Sequence, residues 1–186
     1  MKTKDAILVH LNYGLAHIDG VCWLCDLLLT GVPQGAMCIQ VGERVLVQRP
    51  SIGIVQNAVA ESGLIYCRKM LDFLGLKGRR NTGVLYERSG AYGDDTVGIE
   101  DLQLQRVPLA ALAITPFGDA SEVLAACEHT MRSADKGVAH FTEDRGESSN
   151  VGQIQMCART VTWLTQAYVY KALGIPTTIP TPWTAG

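Results

Sequence analysis

At 186 residues, with 47% apolar and 18% charged side chains, the chain has the size and composition of a folded domain with an ordinary core. A formal net charge of -2 excludes a global electrostatic draw toward nucleic acid, so any phosphate-binding site has to be a local basic patch. The opening segment is interrupted by His10, Asn12 and His17, no stretch has the ~18 consecutive apolar residues of a membrane span, and six cysteines without a secretion signal fit free thiols in a reducing cytoplasm.

Residues 5–29 read as a helix, because Leu8, Leu11, Leu15, Ile18, Cys22, Cys25 and Leu29 recur three and four apart along one seam. That seam includes both cysteines of the Cys22-Trp-Leu-Cys25 motif. Without a second ligand pair, they read as small core hydrophobes rather than as a redox or metal motif. His10 and His17 lie on one side of the same helix, seven apart. Gly31, Pro33 and Gly35 end the helix. The next stretch, MCIQVGERVLVQR, is ambiguous: its Val and Ile content favours a strand, while its place between helices favours a short helix or an extended connector, which is the expectation here.

Pro50 suits the start of a second helix over Ser51 to Leu74, apolar around most of its circumference, which stops at Gly75. Glu61, Arg68 and Asp72 share one side of it. Arg68 and Asp72 are four apart and can pair, and Lys136, His140 and the Asp94-Asp95 pair are further candidate partners. Residues 75–101 carry glycines without helical period and predict a long loop with a small hairpin, basic at Arg79, Arg80 and Arg88 and acidic at Asp94, Asp95, Glu100 and Asp101.

Pro108 and Pro116 bracket a small packed helix or core-lining loop. From Asp119 the chain reads as a long amphipathic helix to about Thr142, within the stretch Asp119 to Arg145. Asp119 and Glu122 form a capping box there, and Val123, Leu124, Cys127, Met131, Ala134, Val138 and Phe141 form a buried face. A second stripe, His129, Arg132, Lys136 and His140, is either a solvated face or a surface that binds or cleaves something anionic. A last helix runs from Val151 to Leu173, with Ile154, Cys157, Val161, Leu164 and Tyr168 inward and Gly174 as its cap. The expected architecture is all-α: an up-and-down bundle of four long helices plus short ones in a single domain, 1–174, followed by an extended proline-containing tail, 175–186.

Three separated motifs, NAVAESGLIYCRKMLDFLG, GDDTVGIEDL and ADKGVAHFTEDR, followed by an amphipathic helix, resemble those of bacterial HEPN-like helical-bundle proteins over about residues 55–173. The resemblance implies a homodimer without cofactor or metal, RNA or a nucleotide as ligand, and an antitoxin-type partner protein. It also implies, in many members of that superfamily, a metal-independent ribonuclease. The superfamily's histidine falls on His140, whereas the positions of its arginine hold Asp135 and neighbours. The nearest upstream arginine, Arg132, stands seven residues clear of His140.

Cleavage of RNA through its 2′-hydroxyl needs a proton acceptor, a proton donor and cations around the phosphorane. A free imidazole titrates near neutrality, which would suit His140 as acid or base, Lys136 and Arg68 suit the phosphate, and Asp72 or Asp95 would orient the histidine or the arginine. The same five residues also suit a salt-bridge network that fixes the packing of the bundle.

Overall fold

The computed structural model describes residues 3–30, 37–49, 53–80, 82–93, 96–137 and 150–176. Four helices carry the fold: α1 (Lys4–Leu29), α2 (Gly53–Leu74), α3 (Ala120–Gly137) and α4 (Val151–Thr165). The starts of α1, α3 and α4 each have a local reason. The Thr3 hydroxyl accepts from the Ala6 N–H at 3.3 Å, and Asn150 Oδ1 accepts from the Gln153 N–H at 3.2 Å. Asp119 Oδ1 accepts from the Glu122 N–H at 2.9 Å, while Glu122 Oε2 accepts from the Asp119 N–H at 3.1 Å, the reciprocal pair that the sequence spacing predicts.

The bundle closes as a ring in which α1 packs on α2 and α4, and α3 packs on the same two helices. Glycines set the α1–α2 crossing: a Cβ on Gly63 would overlap the Val21 side chain, and one on Gly14 would sit 3.1 Å from Tyr66 Cδ1. These contacts, with Gly20 beside Val59, run the two helices antiparallel. Asp26 meets Gln155 and Asn12 meets Tyr170, so α1 is antiparallel to α4 as well. One continuous core draws Leu11, Leu15 and Ile18 from α1, Leu71 and Leu74 from α2, Val123 and Met131 from α3, and Val161 and Leu164 from α4. Every helix also brings a buried free cysteine: Cys22, Cys67, Cys127 and Cys157. Cys25 is buried with them, so both cysteines of the Cys-x-x-Cys motif pack as core side chains. Leu29, expected in the seam, is exposed.

The chain between α1 and α2 corrects the expectation of a short helix or connector. It forms an antiparallel hairpin, β1 (Met37–Val41) with β2 (Arg44–Arg49), because Gly42 at φ +57° supplies the left-handed first position of a two-residue turn that joins Val41 to Arg44. The pairing slips between Ile39 and Gln40, leaving one extra residue on β2 as a bulge.

Downstream, the expected hairpin within 75–101 is β3 (Leu76–Gly78) with β4 (Leu85–Glu87), followed by a short 3-10 helix, Ile99–Leu102. A second 3-10 helix, Leu109–Ile114, fills the segment between the prolines. The last helix departs from a single α-helix: Gln166–Tyr170 is a π turn. The wider turn adds a residue to the register, so Val169 and Tyr170 are the buried positions and Tyr168 is only partly covered. The parts of the expected third helix beyond Gly137, including Val138 and Phe141, and the tail beyond residue 176, lie outside the described residues. No helix among the described residues is long and apolar enough to cross a membrane.

Candidate functional site

Arg68 and Asp72 stand one turn apart on α2 but do not pair with each other as their spacing suggests. Arg68 bonds to Asp135 on α3, and Asp72 takes the Arg88 guanidinium at 3.1 Å. The reason is the depth of each side chain. Half of the Arg68 side chain is exposed, and it leans along the α2–α3 seam, while Asp72 sits where the chain after β4 passes the end of α2.

Around Asp72 the loop is tightly held. The Tyr92 hydroxyl donates to the main-chain carbonyls of Asp72 and Phe73 at the end of α2, the first of which also accepts from the Gly75 N–H at 3.0 Å. The Arg88 guanidinium lies 4.1 Å from the centre of the Tyr92 ring, and that of Arg106 lies 5.5 Å away. Arg106 donates to the carbonyls of Arg88 and Gly90 and pairs with Glu100 at 2.8 Å. Burial, with Asp72 adding to it, pushes the Tyr92 phenol up to about 12. Each charge in this cluster has a partner, which is the signature of a structural clamp.

The other side of the α2–α3 seam is different. The turn between β3 and β4 rests on α3: a Cβ on Gly83, at φ +72°, would sit 3.0 Å from Arg132 Cβ, and the Leu85 N–H donates to Glu128 Oε1 at 3.1 Å. This seating sets the turn that carries Arg79, whose carbonyl accepts from the Gly83 N–H at 2.9 Å, and Arg80 beside Arg132, which lies one turn before Asp135 on α3. Arg68, Arg79, Arg80 and Arg132 are all exposed. Among the described residues, the carboxylates on this seam are Asp135, paired with Arg68, and Glu128, turned toward the Leu85 N–H. Four guanidiniums against these two carboxylates make the described part of this surface locally positive on a chain of net charge -2.

Of the residues singled out from sequence, Arg68 lies on this seam, while Lys136 follows Asp135 in the last turn of α3 and its side chain lies outside what is described. Asp72 belongs to the clamp around Tyr92. Asp95 and His140 lie outside the described residues, as does Asp94. Asp135 and Arg88, the actual partners, were not singled out as such, because pairs across helices leave no periodic signal in sequence. The turn at Gly83 was the only local hint that Arg79 and Arg80 fold back. Among the described residues no group of three or more His, Cys, Asp or Glu side chains is placed to hold a metal ion. Comparison with protein-family models, curated proteins and solved structures found no match to this chain.

Proposed function

We propose that this protein is an RNA- or nucleotide-binding module of the HEPN-like kind, in which Arg68, Arg79, Arg80 and Arg132 receive phosphate groups on the α2–α3 seam. The observation that carries this reading is the seating of the β3–β4 turn on α3, which sets the segment bearing the exposed Arg79 and Arg80 beside the exposed Arg132. Guanidiniums suit that role because their planar donors match two phosphate oxygens at once. Asp135 holds Arg68 in place and partly neutralises it, so Arg79, Arg80 and Arg132 contribute most of the attraction.

The test is titration of fluorescent single-stranded RNA at several salt concentrations. Wild type binds with an affinity that falls steeply with salt, and each arginine replaced by alanine weakens binding and flattens the salt slope by about 0.7 for each phosphate it no longer neutralises. Affinity untouched in the triple variant Arg79→Ala, Arg80→Ala, Arg132→Ala refutes the reading.

Metal-independent ribonuclease activity is the sharper form of the same proposal, supported by the chemistry of His140 and its sequence proximity to Lys136. Because Asp72 is committed to Arg88, this form assigns the proton transfers to His140 and leaves Arg68 and Lys136 as phosphate holders. Cleavage of mixed cellular RNA in EDTA by wild type and not by His140→Ala supports it; equal cleavage, or none, leaves a binding module. A cytoplasmic site of action and an antitoxin-type partner belong to the same reading.

A further inference from the structure

The Tyr66 ring of α2 lies against α1 at Gly14, where a Cβ would sit 3.1 Å from Tyr66 Cδ1. Tyr13 and His17, one turn apart on α1, close around it. The His17 ring stacks on Tyr66, with centroids 4.6 Å apart and planes 10° from parallel. Tyr13 stands beside that pair nearly at right angles, 4.6 Å from His17 and 5.6 Å from Tyr66. Three rings from two helices thus form one cluster, held in place by the α1–α2 crossing rather than by a loop.

Packing accounts for Tyr66 and His17, which are half-buried, but not for Tyr13. Its side chain is 56% exposed, so much of the ring meets solvent. A ring fixed by its neighbours and open on its outer side loses little freedom when a flat ligand lies on it.

The charges beside the cluster decide the class of ligand. The Lys69 ammonium lies 5.1 Å from the centre of the Tyr66 ring. At about 3.6 residues per turn, Lys69 falls on the solvent side of α2, between Tyr66 toward α1 and Arg68 toward α3. Both cations are exposed, and they step from the rings to the arginine seam across a single helix, about 10 Å wide. The carboxylates of α2 do not interrupt that path: Asp72 is held by Arg88, and Glu61 lies about two turns back toward the start of the helix. A ligand with a flat π face at one point and negative charge along its length is a single-stranded nucleic acid.

We infer that Tyr13, braced by His17 and Tyr66, is a base-stacking subsite for single-stranded RNA whose backbone crosses Lys69 and Arg68 to reach Arg79, Arg80 and Arg132. The inference rests on the RNA-binding reading and adds a base contact to it, so the ligand is a strand of several nucleotides rather than a lone phosphate or mononucleotide. Every base has a π face, so the subsite gives affinity with little sequence preference. It differs from the arginine seam in its response to salt. A stacked base displaces no counterions, so loss of Tyr13 lowers affinity and leaves the salt slope as it was.

The test titrates wild type, Tyr13→Ala and Tyr13→Phe with an oligoadenylate carrying one fluorescent purine analogue, with an abasic oligomer of the same length, and with adenosine monophosphate. Circular dichroism and thermal melting check that both variants are folded, and Tyr13→Phe keeps the ring in its packing. Wild type should bind the oligoadenylate more tightly than the abasic oligomer and quench the analogue. Tyr13→Ala should weaken oligoadenylate binding roughly fivefold to a hundredfold, with the salt slope and the abasic affinity unchanged, while Tyr13→Phe binds as wild type. Undiminished oligoadenylate binding by Tyr13→Ala, with binding lost in the triple arginine variant, overturns the base subsite and leaves the arginine seam standing. Adenosine monophosphate bound as tightly as the oligomer overturns the strand as the ligand. A wild type that binds no RNA at low salt overturns the RNA-binding reading and this inference with it.

Discussion

Tyr92 closes the end of α2 through its hydroxyl, which donates to the carbonyls of Asp72 and Phe73. Its ring is held by Arg88, whose guanidinium reaches the Asp72 carboxylate, so one side chain ties the long glycine-rich stretch to the helix. Tyr92→Phe removes the donor, leaving the Asp72 carbonyl to the Gly75 N–H at 3.0 Å and the Phe73 carbonyl without its hydroxyl partner, and should lower stability by about 1 to 2 kcal/mol in urea unfolding. The pH dependence follows from the raised phenol. Its pKa goes from an ordinary 10.0 to about 12 on folding, so the unfolded chain loses the proton first. The stabilisation is whole below pH 10 and is lost as pH rises through about 12. Wild type should therefore lose more stability than Tyr92→Phe across that window, measured by thermal melting at matched ionic strength; parallel curves would remove Tyr92 as the cause.

The α1–α2 crossing predicts a large effect from one methyl group. Gly63→Ala drives a Cβ into Val21 and should destabilise the protein by roughly 1 to 3 kcal/mol, the usual range for overpacking. Val21→Ala in the same chain should recover part of that loss, as neighbours in contact are not additive. Equal losses in the single and double variants would show that the crossing tolerates no repacking.

The thiols should separate cleanly by reactivity. Cys38, on the β1–β2 hairpin, is exposed, while Cys22, Cys25, Cys67, Cys127 and Cys157 are buried. Burial, with Asp26 nearby, pushes the Cys25 thiol up to about 11, and burial raises Cys22 further. Native protein should release one equivalent of thionitrobenzoate per chain from Ellman's reagent at pH 8, as Cys38 alone forms the mixed disulfide, and six equivalents only in denaturant. Rapid modification of a second cysteine would mean that the bundle opens readily.

Asp135→Asn separates structure from binding on the α2–α3 seam. The Arg68–Asp135 pair is half exposed on the arginine side, so its loss should cost less than about 1 kcal/mol of stability. Removing that carboxylate should tighten phosphate binding, and the Kd for single-stranded RNA at low salt should fall. A weaker complex would mean that the carboxylate is needed to orient Arg68 rather than merely opposing the ligand.

The helices were legible because burial repeats at the helical period. Leu11, Leu15 and Ile18 on α1, and Val123, Cys127 and Met131 on α3, are core residues where spacing puts them, and the Asp119–Glu122 box starts α3 as its residue types require. The β1–β2 hairpin was less legible, since Val and Ile fit a strand or a buried helix equally until Gly42 is seen to make the turn. The π turn at Gln166–Tyr170 leaves no mark in the hydrophobic pattern until the register has already shifted.

Local spacing along the chain was therefore enough for the four-helix class, the inward faces, and the core role of Cys22 and Cys25. It was not enough for the partners of Arg68 and Asp72. A charge four residues away on the same helix and a charge on a neighbouring element compete for the same guanidinium, and the winner depends on how deep each side chain lies and on which loop passes it. Asp135 and Arg88 won because packing brings α3 and the segment after β4 to those places. The gathering of Arg79, Arg80 and Arg132 has the same origin: a short turn folds back onto a helix distant in sequence, and no periodicity along the chain encodes that contact.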